Sequence, residues 1–422
     1  MSQFCIMFLL TPPVVVAQDF LSFGSEPPAY VEYAVENLPR WYKTPLLESA
    51  DNTPKHNSIS DAGAELGRAL FYDPGLSVDN SVSCASCHRQ ENGFTDPRRF
   101  SRGLNGQVTE RHSMALTNAR FYENGRFFWD ERAESLEHQV LKPIQDPTEM
   151  GSKLAQLVHE LGESPEYIVL FRRAYGDPEI TEDRIADALA QFIRAMVSYQ
   201  SPYDQALSAA KSDRPEQPHF AAVDSIDDPE LVALGEVAFR TNCAVCHVSA
   251  AQIATQPHNN GLAVSDQDVG AGNGRFKVPS LRNIGVRQRF MHDGRFTSLE
   301  EVVEFYADEI ADDPNLSDHL IAGGLGTRIG VQKAIVAFMA TLTDEEFLTS
   351  TLFADPYSSD SSFLRLDLSR DGIVDHADVE LLEAAIGIRS PNRRFDLNGD
   401  GRIDQRDRKM LESEVSLGNE HY

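Results

Sequence analysis

The chain of 422 residues contains little cysteine, little tryptophan and a deficit of positive charge. Five cysteines are too few to staple a chain of this length into a disulfide scaffold. Lys and Arg number 38 against 65 Asp and Glu, a formal net charge of −27. That balance argues against nucleic acid as a main partner, because phosphate recognition needs clustered cations. No long apolar run occurs beyond the N-terminus, which argues against a membrane-embedded chain. No segment sustains an apolar/polar alternation, so a mainly α protein is expected. Hydrophobic residues make up 41%, enough for sizeable cores. At roughly 100–200 residues per domain, two to four domains fit the length.

The cysteines say more by position than by number. Cys5 stands alone in the apolar stretch from Phe4 to Ala17. Ala17 before Gln18 suits a secretory cleavage site, so residues 1–17 read as a signal peptide. The absence of Lys or Arg before it and the Pro12-Pro13 break leave a frayed apolar tail as the other reading. The remaining four form Cys84-Ala85-Ser86-Cys87-His88 and Cys243-Ala244-Val245-Cys246-His247. C-x-x-C-H is the attachment signature of c-type haem. Each thiol adds to a porphyrin vinyl group, and the adjacent His binds iron. A redox dithiol or a split zinc site are the competing readings, and the zinc site would leave His88 and His247 unexplained. Covalent haem attachment is completed outside the bacterial cytoplasm, which points to a periplasmic or otherwise extracytoplasmic location. The sixth iron position then decides function: a Met there favours electron transfer, and an open position permits peroxide chemistry.

Residues 61–73 read as a helix with Asp61 as N-cap, leading into the first motif. Residues 228–241 repeat the plan before Cys243, a weak internal repeat that suggests two cytochrome-like halves. Helical periodicity recurs near 133–142, 153–162, 166–175, 181–199, 298–309 and 328–342. Residues 201–227, rich in Ser, Ala, Asp and Pro, read as a linker. The division expected is 18–200 for an N-terminal haem domain, 201–354 for a C-terminal haem domain, and 355–422 for a hinge and small module.

That module carries two similar acidic loops. One offers Asp367, Ser369, Asp371, Asp375 and Asp378, with the Ile373 carbonyl. The other offers Asp396, Asn398, Asp400, Asp404 and Asp407, with the Arg402 carbonyl. Oxygen ligands at loop positions 1, 3, 5, 9 and 12, with Gly372 or Gly401 at position 6, match the EF-hand calcium loop. Asp instead of Glu at position 12 is a departure, and an acidic surface turn is the bland alternative. The tandem pair resembles the dockerin module. That resemblance implies calcium binding and a cohesin-like partner.

The main body resembles the bacterial dihaem cytochrome c peroxidase family, which also contains MauG-type enzymes. The resemblance rests on Leu66-Gly67-Arg68-Ala69-Leu70-Phe71, Phe127-Phe128-Trp129-Asp130, Ala133-Glu134-Ser135-Leu136-Glu137-His138-Gln139 and Pro147-Thr148-Glu149-Met150-Gly151. It continues in Phe276-Lys277-Val278-Pro279-Ser280-Leu281-Arg282-Asn283 and Met291-His292-Asp293-Gly294-Arg295-Phe296. It implies two covalently bound haem c groups. The C-terminal haem would be the electron entry point, ligated by His247 and Met291. The N-terminal haem would be peroxidatic, with His88 as proximal ligand, Trp129 between the haems, and Glu149 and Gln139 in the distal pocket.

One position departs from the family pattern. The loop that usually carries a distal His has Leu104 there, which predicts a peroxidatic haem open at rest. His112 aligns with a residue near the family's interdomain calcium ion, usually Asn, so that ion is in doubt. The resemblance implies reduction of hydrogen peroxide with electrons from a small c-type cytochrome or cupredoxin, by a homodimer. A MauG-like oxidase acting on a protein or organic substrate, and a non-enzymatic electron carrier, remain as alternatives.

Overall fold

The computed structural model describes Tyr33, residues 38–214, 217–248, Ala251, 256–262 and 268–357. In the tail it describes 366, 368, 376–386, 395–397 and 402–418. Among these residues the protein is helical, and extended pairing is limited to isolated bridges. No helix among them is long and apolar enough to cross a membrane.

The N-terminal half contains α1 (Pro45–Ala50), α2 (Asp61–Tyr72), α3 (Leu136–Gln145), α4 (Leu154–Gly162), α5 (Pro165–Tyr175) and α6 (Glu182–Ala195). The C-terminal half contains α7 (Pro202–Ser208), α8 (Pro229–Asn242), α9 (Leu299–Asp308), α10 (Ile329–Ala340) and α11 (Glu345–Thr349). The tail contributes α12 (His376–Ala385) and α13 (Gln405–Gly418). Each part has its own apolar core. Leu66, Leu70, Phe71, Leu189 and Phe192 lie in the first. Val232, Phe239, Ile335 and Phe338 lie in the second. Leu382, Phe395, Leu397 and Leu411 lie in the third.

The two halves repeat one design. α2 crosses α6, and α8 crosses α10. At each crossing a glycine admits the other helix. A methyl group on Gly67 would overlap the Ala188 carbonyl, and one on Gly235 would overlap the Ala334 carbonyl. Asn118 and Asn283 both adopt left-handed backbone, at φ of 60° in each case. Each side-chain oxygen then accepts a hydrogen bond from beyond the facing helix, from Ser198 N at 2.9 Å and Asp344 N at 2.8 Å. α3 and α9 both start on a serine cap, Ser135 and Ser298.

Three local expectations need correction. Ser60, not Asp61, caps α2, through its hydroxyl oxygen at 3.1 Å from Gly63 N. Asp61 instead accepts a hydrogen bond from Tyr33 N at 2.7 Å. The periodic stretch 181–199 is helical only to Ala195, and its last residues run on without helix. Most consequentially, 201–227 is not a simple linker. It contains α7, whose Asp204 is buried and ion-paired with the fully buried Arg282. Trp41 Nε1 donates to the same carboxylate at 2.9 Å. A Ser/Asp/Pro composition reads as solvated chain, yet here a capping box and one buried ion pair fix it in place.

After α11 the chain returns to the first half. Phe347, Leu348 and Phe353 join the N-terminal core, Tyr72 Oη donates to Phe353 O at 2.6 Å, and Arg68 Nε donates to Ala354 O at 2.7 Å. In the tail, α12 lies against α5. Of the calcium-loop positions, Asp367, Ser369, Asp371, Ile373, Asp375, Asn398 and Asp400 lie outside the described residues. Asp378 and Asp407, the twelfth positions, are both buried at the starts of α12 and α13.

Candidate functional site

A cavity of about 760 Å³ opens in the N-terminal half, within the range of cofactor pockets. His88 lines it, together with Phe128, Trp129, Gln139, Pro143 and Glu149. A short 3-10 turn brings His88 back over Cys84, whose carbonyl accepts from His88 N at 3.0 Å. The imidazole Nδ1 lies 3.0 Å from Phe94 O. A carbonyl can only accept, so the proton sits on Nδ1 and Nε2 is left for a metal. Burial lowers the His88 pKa and keeps the ring neutral.

Gln139 sits on α3. Glu149 sits in the turn beyond α3, where Leu104 N donates to the Thr148 and Glu149 carbonyls at 3.1 Å each. Gly103 permits this approach, since a side chain there would overlap the Thr148 carbonyl. Burial pushes the Glu149 carboxyl up to about 7, and Asp146 adds to the rise. Leu104 is buried in the N-terminal core and is not among the residues lining the cavity. The loop thus braces Glu149 through Leu104 N, and Gln107, Glu110 and His112 farther along it line the cavity.

The second cavity is lined by Cys243, Cys246, His247 and Met291. His247 N donates to Cys243 O at 2.9 Å, the counterpart of the first motif. Met291 adopts left-handed backbone at φ of 71°, and Asn260 Nδ2 lies 3.7 Å from its sulfur. Tyr306 Oη in turn accepts from Asn260 at 3.1 Å.

A thin wall separates the cavities. His112 to Ala115, Trp129 and Lys277 to Pro279 line both. Trp129 Nε1 donates to His112 O at 2.7 Å, and the indole meets the His292 ring edge-on at 6.3 Å. Each half also donates one backbone N–H across the wall. His112 N bonds to His292 O, and Lys277 N to Trp129 O, both at 2.8 Å.

The residues present fit two haem c groups. The four motif cysteines are free of disulfides. Burial pushes the Cys84 and Cys243 thiols up to about 12, and Cys87 and Cys246 to about 11. Such thiols are poor redox nucleophiles, which disfavours a dithiol. No group of three or more His, Cys, Asp or Glu side chains comes together for a metal among the described residues, so the split zinc site does not form there. Arg287 lines the second cavity, fully buried, its Nε without a hydrogen-bond partner. Its Nη2 donates to the Ser280 and Arg282 carbonyls, and burial, with no carboxylate to oppose it, lowers its pKa to about 9. A buried guanidinium without an anion suits a haem propionate.

At the wall, burial lowers the His112 pKa to about 4 and the Lys277 pKa well below its ordinary value. Sequence reading missed Asn260, Lys277 and Arg287 as site residues. Only the apolar neighbours of a buried Lys or Arg betray it, and those neighbours are distant in sequence.

Two histidine-bearing thioether motifs, one beside a thioether sulfur and one beside an acid-lined cavity, define a dihaem c-type cytochrome. The comparisons agree. The di-haem cytochrome c peroxidase profile matches residues 61–212, and the dockerin type I profile matches residues 357–416. The methylamine utilization protein MauG of Methylorubrum extorquens is 31% identical over 303 residues, covering 69% of this chain and 81% of that protein. The cytochrome c551 peroxidase of Nitrosomonas europaea is 32% identical over 259 residues, covering 57% and 71% respectively. A crystal structure of a MauG-like protein associated with microbial copper homeostasis superposes with a TM-score of 0.64 at 28% identity, covering 76% of this chain and 99% of that one. The chain belongs to the di-haem cytochrome c peroxidase and MauG family, and carries a dockerin module at its C-terminus.

Proposed function

We propose that the protein reduces hydrogen peroxide to water, consuming two electrons and two protons per peroxide. The observation that carries this reading is Glu149. Its carboxyl, raised to about 7, shares a cavity with His88 and Gln139. When bound, the haem supplies iron that accepts peroxide and the electrons that cleave its O–O bond. The chain's own residues do the rest. Glu149 takes a proton from peroxide and returns it to the departing oxygen, a task suited to a carboxyl poised near neutrality. The Gln139 amide orients the substrate. His247 and Met291 hold the electron-entry haem, and Trp129 lies on the path between the cavities. The donor is a small c-type cytochrome or cupredoxin, steered to an acidic surface by complementary charge.

In this reading residues 18–200 form the peroxidatic domain and 201–354 the electron-entry domain, as a homodimer outside the cytoplasm after loss of residues 1–17. The tail binds calcium through its two loops and docks a cohesin-like domain.

The test is steady-state peroxide reduction by the doubly loaded protein with a reduced cytochrome donor. Glu149→Gln should lower turnover by roughly 10²–10⁴-fold. Wild-type turnover no faster than that of free haem would overturn the proposal. A second reading, oxidation of a protein or organic substrate, is favoured by the relatives named MauG. Accumulation of an oxidised co-substrate with peroxide alone, without donor consumption, would select it.

A further inference from the structure

The loop that carries Trp129 and the loop that carries Met291 are copies of one another. Phe127, Phe128, Trp129, Asp130, Glu131 and Arg132 stand against Phe290, Met291, His292, Asp293, Gly294 and Arg295 at equal spacing. Each loop is closed by an antiparallel bridge, Phe127 to Ala133 and Phe290 to Phe296. The closing bonds run from Phe127 N to Ala133 O at 2.9 Å and from Phe290 N to Phe296 O at 3.2 Å.

The backbones agree where agreement is costly. Phe128 has φ of 68° and Met291 has 71°. Glu131 has φ of 55° and Gly294 has 63°. Bulky side chains rarely adopt left-handed backbone, and such strain persists only where the surroundings impose it. Both loops lead into a serine-capped helix, α3 or α9. The third residue of each, Trp129 or His292, gives its carbonyl to the opposite half.

Phe128 and Met291 are therefore the same position in two copies of one socket. Each lines its own cavity together with the histidine of its own motif. The C-terminal socket offers a thioether sulfur. The N-terminal socket offers a phenyl ring, held by the Arg132 guanidinium stacked 3.5 Å from its centre. We infer that Phe128 stands where an axial ligand would stand, and that its lack of a donor atom keeps the sixth position opposite His88 free for a small oxidant. The inference deepens the proposed peroxidase function and rests on it. It also moves the cause of the open site away from Leu104, which does not line the cavity.

The test is Phe128→Met in the full-length, doubly loaded protein, read by absorption and electron paramagnetic resonance of the resting ferric state. The variant should convert the N-terminal haem from high-spin to six-coordinate low-spin and bring in a second thioether-to-iron charge-transfer band. A folded variant whose N-terminal haem stays high-spin would overturn the inference. Should that variant misfold, Phe128→Ala serves instead. Removing the ring should raise imidazole affinity at the N-terminal haem at least tenfold, and unchanged affinity would overturn the inference. A wild-type protein with both resting haems six-coordinate and low-spin would likewise overturn the inference, whereas the peroxidase reading fails separately, by wild-type turnover no faster than that of free haem.

Discussion

Glu149 is the residue whose loss is easiest to read, because its carboxyl titrates in the working range. Only the carboxylate can accept a proton from peroxide. Turnover should therefore rise with pH through about 7 and flatten in Glu149→Gln, as a pH–rate profile would show. The same shift has a sign in stability. A carboxyl whose folded pKa lies above its ordinary value favours the fold while protonated. That contribution is lost as pH climbs from the ordinary 4.5 through about 7. Arg287 gives a second prediction at this scale. Removing a buried cation from the lining of the second cavity would favour the ferric state of a haem held there, so Arg287→Leu should lower the midpoint potential of that haem. A tenfold change in its one-electron equilibrium corresponds to about 59 mV, measured by spectroelectrochemical titration. These two residues differed in legibility. Glu149 was found because Pro147-Thr148-Glu149-Met150-Gly151 is contiguous. Arg287 was missed because its burial is decided by cavity walls assembled from distant segments.

At the scale of elements, most helices could be read from their 3.6-residue periodicity, and α4, α5, α9 and α10 fall close to expectation. What could not be read was polar chain that folds for tertiary reasons. α7 is held by Asp204, and Asp204 is tolerable inside because Arg282 and Trp41, both far away in sequence, meet it there. The helix crossings supply the prediction here. Gly67→Ala and Gly235→Ala both force a methyl group into a facing carbonyl. Each should lower stability by about 1–3 kcal/mol or more, seen as a reduced midpoint in thermal or denaturant unfolding. An exposed glycine such as Gly162, with open space around it, should tolerate the same change.

For the whole molecule, the haem-bearing body and the tail have separate apolar cores. The tail's core is small, and buried Asp378 and Asp407 sit at its helix starts. Calcium chelation should reduce helical signal in the far-ultraviolet and expose the last 65 or so residues to protease, as small metal-dependent units do. Haem absorption should not change. Loss of haem signal on chelation would mean that the body also depends on the ion. The overall plan was visible in the sequence through the two motifs and the acidic loop pair. The return of Phe347, Leu348 and Phe353 to the first core was not, because a short apolar run carries no mark of which core it will enter.

The paired backbone bonds across the wall have a mechanical meaning. His292, next to Met291, is tied to His112, and Trp129, next to Phe128, is tied to Lys277. Each strained loop is closed on its own half by the Phe127–Ala133 or Phe290–Phe296 bridge and is also fastened to the opposite half. The wall between the cavities is therefore a shared part, held from both sides.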